Sequence, residues 1–564
     1  MSEFVRADSL ASLSSKTFDV LVIGGGMTGT GVALDAATRG LSVALVERDD
    51  FASGTSSKSS KMVHGGLRYL QQREFRLVYE NLHERQRLLD NAPYLVRPLP
   101  FLIPLFGKDG VVSKTVARSY KTALWLYDVT GGVRIGKRHK EISRDEVVKH
   151  LPSLDVSHLV AGFLYYDARG DDARVALTLA KSAADHGATV VNYAEATEFL
   201  HDPTGRVTGA RITPRADGAD AAPIEVTARV VVNAAGVWAD EVAWLEEGVK
   251  DQTITPAKGV HISVPADRLP CDIAAVIPVP ADKRSIFVVP WEESPYVFLG
   301  TTDTSYDGSL DDPRCDPVDV DYLLNAVNGL TSSNLTRSDV TGVWAGLRPL
   351  IKPTKGSKVS ARTADLSRRH KVETSKEGVV LITGGKWTTY RLMAEDAVNE
   401  VAAQLPGTSK CKTRSLLLHG ASSKKGQVDV PGVDEVLAEH LRHRYGTDAP
   451  AVASLIADDP SLGEPIVDTL PFVGAEVVYA VRSEMAVTID DVLSRRTRAR
   501  LQNAGATRKA AKGVAKLMAA ELGWDKDRRK AEIKQFKRAI DADLAAAGLA
   551  KSDDETDESD EEPS

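Results

Sequence analysis

The residues best equipped for chemistry lie in one segment, residues 53–70, SGTSSKSSKMVHGGLRYL. Thr55, Ser56, Ser57 and Ser59 offer hydroxyls and turn N–H groups. His64 stands before Gly65 and Gly66, and an imidazole titrating near ~6.5 accepts a proton at neutral pH. Arg68 follows, and a guanidinium donates two parallel hydrogen bonds to a phosphate or carboxylate. A proton acceptor beside a cation is equipment for oxidising a substrate that carries negative charge, provided a hydride acceptor is near.

The segment just upstream supplies a site for that acceptor. Phe18–Ile23 (FDVLVI) is an apolar run suited to a buried parallel strand. Gly24, Gly26 and Gly29 form a GxGxxG turn, Val32–Arg39 reads as helix ended by Gly40, and Ser42–Val46 is a second strand closed by Glu47. In such a unit the glycines allow the tight turn, the approach of a pyrophosphate and close helix–strand packing, with the phosphates at the helix N-terminus. Glu47, eighteen residues after Gly29, is placed to accept hydrogen bonds from a ribose diol and to repel a 2′-phosphate. An NAD site would continue into another βα unit, whereas here the Ser/Thr/Gly loop follows. Two more glycine turns lie at Asn233-Ala234-Ala235-Gly236 and at Gly384-Gly385-Lys386. Three turns converging on one long cofactor favour FAD. The N–H groups of Thr388 and Thr389, at a helix start, are predicted to face the flavin's pyrimidine oxygen.

The rest of the chain must position these loops. Its 564 residues hold roughly three to four domains' worth of length. Glu74–Asp90 and Val175–His186 read as helices; Val190–Tyr193, Val207–Ile212, Ile224–Thr227 and Val230–Val232 read as strands, and Lys258–Gly300 is strand-rich. Tyr94–Phe106 is apolar but interrupted by Arg97 and three prolines, which predicts a buried or edge strand rather than a membrane segment. Beyond about Leu405 a polar linker, Pro406–Gln427, leads to helical Val433–Arg444, Ala475–Met485, Thr488–Arg500 and Ala506–Leu522. Thr488 with Asp491 forms a capping-box pattern.

Residues 1–17 are polar and no long apolar run follows, so no signal peptide or spanning helix is expected, and a cytoplasmic location is. Cys271, Cys315 and Cys411 are isolated, which argues against a metal site, a cluster or a disulfide framework. The net charge of −7 equals that of the tail Lys551–Ser564, so the body is near neutral. The tail has no apolar residue to pack and is expected to be disordered. Ser494–Arg538, with fifteen Lys/Arg and four acids, is the opposite bias: a basic helical surface suited to an anionic membrane or to nucleic acid.

The blocks IGGGMTGTGVALDAATRGLSVALVE, TSSKSSKMVHGGLRYL, NAAGVWAD, KGVHISVP, FVVPW, LGTTDT, GLRPL and GGKWTTYR, spread over residues 23–391, resemble the FAD-dependent glycerol-3-phosphate dehydrogenases, within the flavoprotein family that also holds D-amino acid oxidase. The block LPFVGAEVVYAVRSEMAVTIDDVLSRRTRAR resembles that family's helical C-terminal domain, while Pro203–Val226 and the acidic tail look idiosyncratic. The resemblance implies an α/β chain: a Rossmann-like FAD-binding domain over residues 16–98, 160–257 and 372–405, an inserted antiparallel-sheet substrate domain over 99–159 and 258–371, an all-α C-terminal domain over 412–548, and the tail 549–564. It implies oxidation of sn-glycerol 3-phosphate to dihydroxyacetone phosphate, with hydride passing to flavin N5 and electrons to a membrane quinone. It is compatible with a homodimer and with peripheral contact at the cytoplasmic face of the inner membrane.

Carried onto this sequence, it places Arg68, Tyr69, Arg348, Arg362 and Lys386 at the substrate, and Gly24, Gly26, Gly29, Glu47, Thr55, Ser56, Ser57, Lys61, His64, Gly65, Gly66, Ala235, Gly236, Gly385, Lys386, Thr388 and Thr389 at FAD. The base is open between His64 and His261; if neither acts, Arg348 or Lys386 stabilises the alkoxide while water takes the proton. Oxygen is the alternative acceptor. A 2-hydroxy-acid or amino-acid oxidase needs one carboxylate clamp, whereas several cations favour phosphate. An FAD-dependent tRNA-modifying protein is disfavoured, since neither a cysteine pair nor an aromatic-interleaved basic patch occurs, so no nucleic-acid partner is expected.

Overall fold

The computed structural model describes residues 4–67, 69, 74–107, 114–216, 221–246, 252–279, 284–352, 369–423 and 428–549. Two sheets and a helical C-terminal region make up the α/β fold. The first sheet runs in the order His370–Thr374, Val380–Gly384, Ile224–Asn233, Thr17–Ile23, Val43–Val46, Thr189–Val191. Its middle is parallel, and the strands there are buried almost throughout, as sheets covered on both faces require. Helices Met27–Thr38, Asp172–Asp185 and Tyr390–Gln404 supply alanine-rich faces, including Ala33, Ala36, Ala180 and Ala397, to the core over it. Ile224–Thr227 and Val230–Val232, expected as two strands, are one, because Arg229 points outward to Asp19 (3.0 Å) while its neighbours stay buried.

The second sheet is mostly antiparallel. Val96–Phe106 pairs along its length with Leu159–Gly170 and, in parallel, with Ala274–Val279, so it is an internal buried strand. Pro98, Pro100 and Pro104 all fall at even positions, so their missing N–H groups lie on one side of the strand. The sheet continues through Arg284–Pro290, Tyr296–Gly300, Ile254–Pro265 and Gly342–Ile351. One correction follows for the expected boundaries. Residues 160–170 and Met62–Val63, assigned to the dinucleotide-binding unit, lie in this second sheet, since Leu159–Gly170 must run on unbroken to match its long partner.

The C-terminal region holds helices Glu435–Tyr445, Ala449–Asp458, Gly474–Glu484, Ala504–Leu522 and Lys526–Ala546. The predicted helix Thr488–Arg500 is broken instead. A π-helical turn, Asp491–Arg496, and a short helix, Ala499–Gln502, flank Arg498, whose φ is 66°. The capping box forms: Asp491 N–H donates to Thr488 Oγ1 (3.2 Å) and Thr488 N–H to Asp491 Oδ2 (2.9 Å). Among the described residues, no helix is long and apolar enough to cross a membrane.

The basic stretch also differs from expectation at its start. Arg495, Arg496, Arg498 and Arg500 point inward rather than to solvent. Asp50 accepts from Arg495 Nε (2.6 Å) and from Arg496 (2.7 and 2.9 Å); Arg498 reaches Asp171 and Asp172; Arg500 reaches Asp490 (2.6 Å) and Asp543 (2.7 Å). A buried guanidinium needs such acids, and several come from far away in sequence. Replacing Asp50 by Asn leaves two buried arginines undercompensated. A loss of about 3–5 kcal/mol is expected in urea unfolding followed by tryptophan fluorescence; an unchanged midpoint would show that other acids suffice.

Candidate active site

The three glycine turns sit at the carboxyl ends of three neighbouring parallel strands: Gly24 after Thr17–Ile23, Ala235-Gly236 after Ile224–Asn233, and Gly385 after Val380–Gly384. Ligands of open α/β sheets bind at this edge. Gly24 has φ +113°, and a Cβ there would lie 2.7 Å from the Ala234 carbonyl. A Cβ on Gly29 would meet the Gly24 carbonyl at 1.8 Å, so strand and helix could not close together. Gly25 N–H donates to Glu47 Oε2 (2.6 Å) and Asp49 N–H to Oε1 (2.9 Å), and burial pushes the Glu47 carboxyl up to about 7. A carboxylate held at the strand end, beside a glycine turn that opens a helix, fits the ribose and pyrophosphate of FAD.

The Ser/Thr loop bridges this edge to the second sheet. Ser56 Oγ accepts from Met27 N–H (2.8 Å), at the helix start, while the adjacent Thr55 hydroxyl donates to the Leu347 carbonyl (2.6 Å), one residue before Arg348. The expectation that these hydroxyls point at the cofactor is corrected for Thr55, for Ser57, whose hydroxyl donates to Gly54 O (3.5 Å), and for Ser59, whose hydroxyl donates to Asp172 (2.6 Å). Lys61, expected along the cofactor, is likewise turned inward. Its Nζ donates to the carbonyls of Ser57 and Ser59 (3.3 Å each) and lies 4.9 Å from the Trp344 ring centre, with burial foremost lowering its pKa to about 8.

The turn at His64 is fixed by groups that sequence reasoning missed. Gly65 N–H donates to Tyr127 OH (2.9 Å) and Asp167 Oδ1 (3.2 Å), and Asn81 Nδ2 donates to the Gly65 carbonyl (3.0 Å). Arg85 (2.6 Å) and Tyr127 (2.6 Å) both donate to Asp167, and all three side chains are buried. A Cβ on Gly65 would strike Leu82 and Tyr127 at 2.4 and 2.5 Å, which is why glycine follows His64. Tyr127 lies 62 residues from Gly65, beyond reach of any local motif. Tyr69 N–H returns to the Gly66 carbonyl (2.9 Å), and Lys386 Nζ sits 3.7 Å over the Tyr69 ring.

Of the two histidines, His64 is half-buried on this turn, whereas His261 is 2% exposed. The His261 ring stacks on Trp344 (4.9 Å, 5°), and its Nε2 lies 2.7 Å from Ser60 Oγ. Burial, then the charges of Lys61 and Arg348, push its pKa well below 6.5. Arg348 is held by the carbonyls of Lys258 (3.3 Å) and Thr302 (3.2 Å), by Thr301 Oγ1 (3.1 Å) and by Asp303 (3.4 Å). The turn at Lys386 packs on the strand that carries Arg348: a Cβ on Gly384 would fall 2.9 Å from Ile351, three residues beyond Arg348. Thr389 spends both its N–H and its hydroxyl on the Lys386 carbonyl (3.0 Å each), which corrects the expectation that this N–H faces the flavin; Thr388 is buried. Arg68 and Arg362 lie outside the described residues.

Residues 19–394 match the family described as FAD dependent oxidoreductase, and residues 411–529 match the C-terminal domain of alpha-glycerophosphate oxidase. Glycerol-3-phosphate dehydrogenase 2 of Mycobacterium bovis is 39% identical over 549 residues, covering 96% of this chain and 91% of that protein. The mitochondrial glycerol-3-phosphate dehydrogenase of Bos taurus is 37% identical over 95% of this chain and 75% of its own. The solved structure of the glycerol-3-phosphate dehydrogenase from Bacillus halodurans, complexed with FAD, superposes with a TM-score of 0.76 at 30% identity, covering 96% of this chain and 97% of that one. The chain belongs to the FAD-dependent oxidoreductase family.

Burial pushes the Glu47 carboxyl up to about 7 before a ribose reaches it, and ribose hydroxyls donate more strongly to the ionised form than to the protonated one. FAD affinity of the apoprotein should therefore fall as pH drops below about 7, by up to about tenfold per unit for one linked proton. Equilibrium flavin-fluorescence titrations across this range check it. Glu47→Gln should bind more weakly and without that slope; a wild-type profile as flat as the variant's would remove Glu47 from the ribose.

Proposed function

We propose that the protein oxidises sn-glycerol 3-phosphate to dihydroxyacetone phosphate and delivers the electrons to a membrane quinone. FAD, when bound, supplies the hydride acceptor at N5. The observation that carries the reading is the Thr55–Ser56 bridge, which sets the strand bearing Arg348 against the dinucleotide turn. The names of the relatives support the substrate.

Arg348 and Lys386 hold the phosphate, completed by Arg68 and Arg362. Arg348 is oriented by four protein acceptors before any anion arrives, so little ordering remains to be done on binding. Tyr69 supports Lys386 through its ring. His64 is the better placed base. It is half-buried on a turn whose peptide groups are fixed, whereas His261 has one nitrogen against Ser60 and a depressed proton affinity. His261 instead walls the site with Trp344. The FAD-binding part is built on the first sheet and the substrate part on the second, with the all-α part over 412–548.

A quinone acceptor calls for contact with a membrane surface. Lys509, Lys512 and Lys516, and likewise Lys530, Lys534 and Arg538, recur at helical spacing and are exposed, which supports a peripheral cytoplasmic-face contact. A second reading, oxygen as acceptor, is favoured by the match of the C-terminal part to an oxidase domain.

Arg348→Ala should abolish turnover of glycerol 3-phosphate while FAD stays bound, seen as a flavin spectrum that no longer bleaches on substrate addition. Retained bleaching would sink the substrate assignment. In the pH dependence of kcat/KM, His64→Gln should lose a proton-linked limb that His261→Gln retains; the reverse pattern makes His261 the base. Peroxide released at the full rate of turnover would replace the quinone by oxygen.

A further inference from the structure

The last two helices form a hairpin, Ala504–Leu522 and Lys526–Ala546, joined by Gly523, Trp524 and Asp525. Residues 504–538 hold eleven Lys/Arg and four acids, a balance of +7. Folding does not cancel it, because arginines take the acids that the hairpin offers. Arg508 holds Asp541 (2.8 Å), Arg500 holds Asp543 (2.7 Å), Arg528 holds Glu532 (2.7 Å) and Arg482 holds Glu521 (2.6 Å). Lys509 and Lys516 on the first helix, and Lys530, Lys534 and Arg538 on the second, stand exposed. Among the described residues, no acid forms an ion pair with any of these five. Their spacing of seven residues, and of four and four, puts each set on one face of its helix.

The segment that follows carries the opposite charge. The second helix ends in a turn closed by Gly548 N–H to the Ala545 carbonyl (3.0 Å) and Leu549 N–H to the Leu544 carbonyl (2.8 Å), with Gly548 at φ +68°. Such a left-handed end diverts the chain from the helix axis. Leu549 packs against the core of the second sheet, and a Cβ on Gly548 would lie 2.9 Å from Arg337, so the exit point is fixed. It is fixed at the Lys509 end of the hairpin, since Arg508 reaches Asp541, eight residues before Leu549. Residues 551–564 then hold eight acids and one lysine, a balance of −7, and no large apolar side chain. Coulomb attraction is the interaction open to such a segment. Fourteen extended residues span about 45 Å, and the longer helix of the hairpin, with 21 residues, about 31 Å. Both lysine faces are within reach.

We propose that residues 551–564 turn back on this hairpin and cover its lysine faces, so that the chain carries its own polyanion for its most basic surface. The contact matches charge to charge and needs no single backbone conformation. A tether of this length holds its partner at an effective concentration of about millimolar, so dilute soluble anions do not displace it, whereas high salt or a dense polyanion does. The two faces are therefore open to an outside anionic partner only after the tail has been displaced. The contact is internal to the chain and independent of its substrate and electron acceptor.

The test uses the FAD-loaded full chain and a water-soluble carbodiimide, which joins a carboxylate to a lysine amine as an amide, takes up the water lost and adds no spacer. Peptide mass spectrometry at about 0.01 M salt should find residues 553–562 joined to Lys509, Lys516, Lys530 or Lys534. The links should vanish at about 1 M salt, where the screening length falls to about 3 Å. Absence of these links at low salt overturns the proposal, as do links confined to lysines elsewhere. An equal mixture of ordinary and heavy-nitrogen chains separates one chain from two: links that join chains of different label assign the tail to a second copy and overturn the internal contact. A second measurement compares the full chain with one ending at Ala550. Acetylation of Lys509, Lys516, Lys530 and Lys534 by an N-hydroxysuccinimide ester should quicken by about twofold or more without the tail, while the exposed Lys410 and Lys412 react at unchanged rates. Equal rates at all six lysines overturn the proposal. The bound-flavin spectrum should be the same in both chains.

Discussion

Two adjacent hydroxyls join the molecule's halves. Ser56 receives the Met27 N–H at the first helix, and Thr55 donates to the Leu347 carbonyl on the far sheet. Neighbouring side chains in an extended or turn segment diverge, so one short loop can face two layers at once. That constraint sets the site. Because the loop is short, Arg348 cannot drift from the dinucleotide turn without breaking one of the two bonds. Ser60 then reaches His261 across the same gap (2.7 Å), and Gly346 must remain glycine-sized because a Cβ would meet the Lys58 carbonyl at 2.7 Å.

The loop is braced from behind by the C-terminal helices. Arg498 donates to the Ser57 carbonyl (2.9 Å), contacts Asp172 and lies 3.1 Å from Asp171; Asp172 in turn accepts from Ser59 N–H (2.9 Å) and its hydroxyl. Arg498 needs its left-handed backbone to turn its fork inward, and the π-helical turn before it supplies Arg495 and Arg496 to Asp50. Burying this many charges is costly unless each finds a partner. The helical region is thus part of the site's foundation, and separating it would strand acids on the loop as well as arginines on the helices.

What the sequence reveals follows the range of the forces. The glycine turns, Glu47 and the buried parallel strands are local, and each appears where its pattern places it. The errors are non-local. Ser494–Arg538 reads as a basic surface because its neutralising acids, Asp50, Asp171 and Asp172, lie more than three hundred residues away. Hydroxyls beside a glycine turn look like ligands for a cofactor until Leu347 and Asp172 claim them. The Asp167–Tyr127–Arg85 brace has no motif, only three buried polar residues that must satisfy one another.

The cations proposed for the phosphate also set the proton affinity around them. His261 is held neutral first by burial, then by Lys61 and Arg348. A dianion bound at Arg348 would offset part of that field, and Coulomb energies are large where water is scarce. The proton affinity of His261 therefore rises as the substrate arrives and falls as it leaves.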